Sequence, residues 1–210
     1  MSINLTKGQR ISLEKDCAPG LSQVALGLGW GQREKKGLFG GTKQVDVDLD
    51  ASCLLFANRN LIDVVWFQQL RSKDGAVVHT GDDRSGGGSA DNEIIRVDLT
   101  RLPKEVDALI FTVNSFLNDS FEGIPNARCR LLDAKSDQEL ARFDLTLDGG
   151  GHTGMVMAKL YRKDGAWNLH AIGDKAMAAP FRRWRTSSPE RSELAPGWPA
   201  HRPVGIDAYR

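Results

Sequence analysis

Gln23-Val-Ala-Leu-Gly-Leu-Gly-Trp30 alternates strictly: Val24, Leu26, Leu28 and Trp30 fall on one side of an extended chain, and Ala25, Gly27 and Gly29 on the other. A period of two is the strand period, so the stretch predicts a β-strand with one bulky, core-seeking face and one nearly bare face. Outward along the chain the pattern repeats. In residues 45–50, Val45, Val47 and Leu49 face one way while Asp46, Asp48 and Asp50 face the other. Further strands are predicted over residues 61–67, 76–80, 94–99, 108–116, 127–132, 140–145, 156–161 and 167–172. No long segment carries a helical period. Many short strands joined by turns argue for an all-β fold, an antiparallel β-sandwich with few or short helices, over an alternating α/β fold.

The composition agrees: 210 residues, 40% hydrophobic and 26% charged, describe a folded globular chain and exclude disorder throughout. With 28 basic and 27 acidic side chains, the net charge gives no electrostatic reason to expect nucleic acid as a partner. No apolar run approaches the roughly 20 residues of a membrane-spanning helix, and the start MSINLTKGQR lacks the apolar segment of a signal peptide, so a cytoplasmic protein is expected. Cys17, Cys53 and Cys129 are odd in number and widely spaced, which suits neither a disulfide framework nor a CxxC site. Cys53 and Cys129 stand among apolar residues and read as small buried hydrophobes.

Leu70–Asp82 (LRSKDGAVVHTGD) echoes Leu160–Asp174 (LYRKDGAWNLHAIGD), each reading as strand, Asp-Gly turn, strand and Gly-Asp. The echo suggests two related halves of one sandwich, with His79 and His170 at matching, structural positions. Beyond Met177 the pattern changes. Residues 177–210 hold five of the eight prolines and six arginines, without apolar periodicity, and read as a basic, tryptophan-containing tail to a domain spanning 1–176.

The chemistry-bearing stretch is Gly81–Glu93, GDDRSGGGSADNE, which crowds three Asp, one Asn and one Glu into a glycine-rich loop between two strands. Calcium relieves such crowding, because it takes six to eight oxygen ligands in irregular geometry; magnesium demands a stricter octahedron. Asp46, Asp48 and Asp50 form a second acidic cluster, and if calcium binds, this strand and the loop must meet in space. An EF-hand is excluded, since Ala51 and Ala57 stand where that motif needs glycine and a bidentate glutamate. A P-loop is excluded too, because Ser89 and Ala90 follow Gly88 and the next segment is the strand IIRVDL. His79, His152, His170 and His201 lack zinc spacing, and no GxSxG nucleophile motif is present. Residue chemistry alone leaves two readings open, a calcium site or a solvated strand face beside a polar loop.

Several separated motifs resemble the tellurium-resistance TerD/TerZ family of bacterial stress proteins over roughly residues 1–175. They are SINLTKGQRISL near the start, DLDAS at Asp48 to Ser52, the Gly81–Glu93 loop, IIRVDLTRLP, and ARFDLT followed by KLYRKDGAWNLHAIG. The resemblance implies a calcium-binding β-sandwich with a role in resistance to tellurite and other stresses. Carried over by position, the metal ligands are Asp48 and Asp50 on the strand and Asp82, Asp83, Ser85, Gly86, Gly88, Asp91 and Glu93 in the loop. Asp83 replaces the usual Asn and keeps an oxygen; Ser89 and Ala90 replace an acidic residue and a glycine. The expectation is a non-enzymatic module in which calcium fixes the loop as an interaction surface, with other stress-resistance proteins or a membrane surface as partners. The alternative is a calcium-gated docking module for anionic lipid or a phosphorylated partner. A carboxylate-based hydrolase and thiol chemistry on tellurite rank lower.

Overall fold

The computed structural model describes residues 2–36, 40–81, 91–144 and 151–176. The tail expected over 177–210 lies outside them. Among the described residues the chain forms β1 (Ile3–Asn4), β2 (Arg10–Ser12), β3 (Gln23–Gly29), β4 (Arg33–Lys36), β5 (Thr42–Val45), β6 (Leu49–Ala57) and β7 (Asn60–Val65). There follow β8 (Val77–His79), β9 (Glu93–Asp98), β10 (Val106–Ser115), β11 (Arg128–Asp133), β12 (Glu139–Asp144), β13 (Gly154–Lys163) and β14 (Ala166–Ala176). A single π-helical turn, Leu13–Cys17, is the helical element among them.

Two six-stranded sheets result, ordered β1-β12-β11-β3-β9-β8 and β2-β14-β13-β10-β6-β7, with β4-β5 as a separate hairpin. Every pairing is antiparallel except β1 with β12. The bulky face of β3 does what its alternation requires: Val24, Leu26 and Leu28 enter one core with Ile95 and Val97 of the same sheet and Leu55, Leu109 and Phe111 of the other. The all-β antiparallel architecture expected from the sequence is therefore the fold.

Two features depart from the period-two reading. Residues 45–50 are not one strand: Val45 ends β5, Leu49 begins β6, and residues 46–48 carry the chain from the hairpin into the second sheet. The three aspartates consequently diverge, Asp46 being exposed while Asp48 and Asp50 are buried. β6 itself runs on through the apolar stretch Cys53–Phe56, which has no alternation because both of its faces are covered. Cys53 and Leu55 join the main core, whereas Leu54 and Phe56 pack with Trp66, Ile110 and Ile172 in a second cluster.

The echoed segments also differ. Asp164 and Gly165 make a two-residue turn between β13 and β14, with Lys163 opposite Ala166, inside the second sheet. Around Asp74-Gly75 the chain turns more widely, from Arg71 to Val78, at the edge of the first sheet. There Asp74 Oδ1 accepts from the Ser72 hydroxyl (2.6 Å) and the Ala76 N–H (2.7 Å).

On the outer face of the first sheet an ionic cluster ties β1, β11 and β12 together. Glu139 accepts from Arg142 Nη2 (2.8 Å), Arg130 Nη1 (3.1 Å) and the Ser2 hydroxyl (2.7 Å). Arg142 first, then Ser2 and Arg130, hold the Glu139 carboxyl down to about 2, against the partial desolvation that raises it. A carboxyl lowered by folding stabilises the native state above its unfolded value, and that stability is lost as pH falls toward the folded value. Full conversion of the shift would give about 3 kcal/mol, which solvent screening at this surface reduces to about 1–2 kcal/mol. Glu139→Gln is expected to lower the urea-unfolding free energy by that amount at pH 7, with the difference closing between about pH 5 and pH 2.

Candidate functional site

The last residue of the acidic loop, Glu93, meets the strand that carries Asp50 through one buried carboxylate. Glu93, the first residue of β9, is fully buried and lies on the core-facing side with Ile95 and Val97. Its Oε2 accepts the Ala51 N–H of β6 across 2.7 Å, linking the two sheets. β7 ends at Val65, opposite Cys53, so among the described residues the side of β6 away from β10 is unpaired beyond that point, and Glu93 supplies the acceptor there. Asp50 directly precedes Ala51, Asp48 stands two residues before Asp50, and both are buried.

Glu93 Oε1 is buried without a hydrogen-bond partner among the described residues. An ionised carboxylate in an apolar interior is costly unless each oxygen is satisfied. The nearest basic group is His79, the last residue of β8, which is also buried. Its Nδ1 accepts the Gly81 N–H (3.1 Å), which leaves the ring proton on Nε2, 3.4 Å from Glu93 Oε2. His79 and Glu93 thus stand at the two roots of the acidic loop.

The C-terminal root is anchored on β3, and the bare face of that strand explains how. A Cβ at Gly27 would overlap the Asp91 carboxylate, and one at Gly29 would lie 2.9 Å from the Arg128 Cζ. Asp91 lies in the space Gly27 leaves and takes two bonds from Arg130, Nε to Oδ1 (2.9 Å) and Nη2 to Oδ2 (2.6 Å). This fork is the strong geometry for a guanidinium and a carboxylate. Asn92 completes the anchor: its N–H donates to the Leu28 carbonyl (2.8 Å), and its Oδ1 accepts from the Trp30 N–H (3.0 Å). The Trp30 indole N–H in turn donates to the Val47 carbonyl (2.6 Å), next to Asp48. β3 therefore grips both acidic segments.

Of the nine residues expected as ligands, Asp48, Asp50 and Glu93 are buried around the start of β6. Asp91 is committed to Arg130 and would reach an ion only by giving up the guanidinium. Asp82, Asp83, Ser85, Gly86 and Gly88 lie outside the described residues. Among the described residues no group of three or more His, Cys, Asp or Glu side chains is placed to hold a metal ion, so Asp48, Asp50 and Glu93 do not form such a group by themselves. What fits a hard cation is the donor chemistry, carboxylate oxygens, with Glu93 Oε1 buried and without a hydrogen-bond partner among the described residues. His79 and Arg130 belong to this site and were not singled out as ligand partners by the sequence. The one available signal was that His79 stands two residues before the loop.

The TerD domain family model matches residues 1–179. Tellurium resistance protein TerZ of Serratia marcescens is 46% identical over 174 residues, covering 81% of this chain and 89% of that protein. Tellurium resistance protein TerD of the same organism is 38% identical over 181 residues, covering 82% and 90%. Stress response protein SCP2 of Bacillus subtilis is 36% identical over 186 residues, covering 83% and 92%. Among solved structures, a homologue of telluride resistance protein (TerD) from Streptomyces coelicolor A3(2) superimposes with a TM-score of 0.63 at 21% identity, covering 77% of this chain and 94% of that one, and so shares the fold. With the match running through both sheets and the acidic segments between them, the chain belongs to the TerD domain family of tellurium-resistance and stress-response proteins.

Proposed function

We propose that the chain is a non-enzymatic, calcium-binding stress-response protein of the cytoplasm, in which the ion fixes the acidic loop against the sandwich as a surface for a partner. The observation that carries this reading is the second oxygen of Glu93: buried, without a hydrogen-bond partner among the described residues, on a carboxylate whose other oxygen accepts the Ala51 N–H next to Asp50 in the chain. An ion there would take Glu93 Oε1 and carboxylate oxygens of Asp48 and Asp50, with Asp82, Asp83, Ser85 and the backbone carbonyls of Gly86 and Gly88 completing its shell. Such an ion would neutralise charge that the fold otherwise holds at a cost.

The thiols argue against direct chemistry on tellurite. Burial pushes the Cys53 and Cys129 thiols up, and burial with Asp16 beside it does the same to Cys17, so all three are protonated and weakly nucleophilic. Among the described residues no helix is long and apolar enough to cross a membrane.

Metal-stripped protein titrated with calcium is expected to gain about 2.7 kcal/mol at 100 times the dissociation constant, a rise of about 5–10 °C in thermal midpoint, with no comparable effect of magnesium. Glu93→Gln and Asp82→Ala should each remove that rise; an unchanged calcium response in both would disprove the ligand assignment. Asp91→Asn separates anchor from ligand. It is expected to lower the midpoint with or without calcium, through the weakened Arg130 fork, while the calcium-induced increment persists.

A further inference from the structure

A second site lies at the free edge of the first sheet, around the Asp74-Gly75 turn. Arg71 bridges Val78 of β8, and Val78 pairs with Arg96 of β9, so the three form one cross-strand row. Residues in one row share a face of the sheet, which places the two arginines on either side of Val78. Arg101 reaches the same place from the turn after β9. A Cβ on Gly75, whose φ is +72°, would lie 3.3 Å from Arg101 Nη2 and 3.7 Å from Arg71 Nη1, so two guanidinium tips stand over one glycine. Together with Gln23, Arg96 and Asp98 they ring an open cleft of about 150 Å³.

The charge of this cleft is not balanced by its own residues. Arg71, Arg96 and Arg101 are exposed and make no ion pair among the described residues. Asp98 is the one lining carboxylate, and it is already engaged. Its Oδ1 accepts from the Thr100 hydroxyl (2.6 Å) and from the N–H groups of Thr100 (3.0 Å) and Arg101 (3.2 Å), and its Oδ2 from Gln23 Nε2 (3.0 Å). Arg96 donates Nη1 to the Ala134 carbonyl at 3.4 Å, a weak tether that leaves most of its fork open. Cations brought this close repel unless an anion sits between them.

We propose that the cleft ringed by Arg71, Arg96 and Arg101 binds the phosphate group of a phosphate monoester. A carboxylate presents its two oxygens in one plane, whereas a phosphate dianion offers three oxygens to donors arriving from different directions. The volume is below the roughly 300–1,000 Å³ of pockets that enclose whole cofactors, so the cleft holds the phosphate and leaves its ester group outside. The group comes from a free small ester or from a phosphorylated serine or threonine of another protein. The acidic calcium site lies at the opposite end of β9 and takes no part.

The test is calorimetric titration of the full chain, with calcium chelated, against inorganic phosphate and separately against a phosphoserine peptide of otherwise neutral sequence. At least one of the two is expected to bind, and Arg71→Ala and Arg101→Ala should each weaken that binding about tenfold or more. Arg71→Lys, which keeps the charge and loses the fork, should weaken it as well, whereas Lys43→Ala, an exposed lysine outside the cleft, should not. The altered side chains are exposed, and unchanged thermal midpoints verify that the variants fold. Tighter binding of the peptide than of phosphate identifies a phosphorylated protein as the source; equal or weaker binding identifies a small ester. Failure of both probes to bind at millimolar concentration, or binding that survives Arg71→Ala with Arg101→Ala, overturns the proposal.

Discussion

The Glu93 carboxylate joins the two sheets at the acidic end of the sandwich, and the site depends on where it sits. It lies in the position of a core residue on β9, on the same face as Ile95 and Val97, yet one oxygen receives the Ala51 N–H of the opposite sheet. That bond serves two needs at once. It satisfies a backbone donor at the edge that β7 leaves uncovered, and it fixes a buried carboxyl against the start of β6. Hydrophobic packing elsewhere in the interface sets the separation of the sheets, and a charge at that depth is tolerated where its partners are placed in advance.

β3 supplies the second constraint. Its bulky side chains hold it in the core, and its bare side receives side chains from the segments around it. The absence of a Cβ at Gly27 is what lets Asp91 lie flat enough to meet the Arg130 fork, and Asn92 then continues the anchorage to Leu28 and Trp30. Because Trp30 also holds the Val47 carbonyl, the approach to Asp48 and the end of the acidic loop are gripped by one strand. The end of the loop and the start of β6 converge because both are tied to the same neighbour, with the bond from the Ala51 N–H to Glu93 as their direct link.

Much of this was legible in the order of residues, and the failures have a common cause. Alternation located β3 and most other strands because each has one covered and one open face. It missed the extent of β6, where Cys53 to Phe56 are covered on both sides and the period vanishes, and it fused the end of β5 with the start of β6 across residues 46–48. The acidic clusters are visible by composition, and one ion shared between them requires that they meet in space. What could not be read was which carboxylates are neutralised: Arg130 stands 39 residues from Asp91, and His79 reaches Glu93 only through the pairing of β8 with β9. Local sequence carries no trace of such partners, although family resemblance correctly anticipated the fold.

Membership of the TerD domain family connects the chain to tellurium resistance and stress response, and the buried carboxylates offer a physical starting point for that role. The central claim is that the second oxygen of Glu93 is a cation ligand rather than a tolerated defect. The most direct measurement is the anomalous difference density of crystals grown with calcium. The account predicts a peak about 2.3–2.6 Å from Glu93 Oε1 and from an oxygen of Asp48 or Asp50. A water or an empty space at that position, in crystals whose loop is ordered and whose solution holds millimolar calcium, would contradict it.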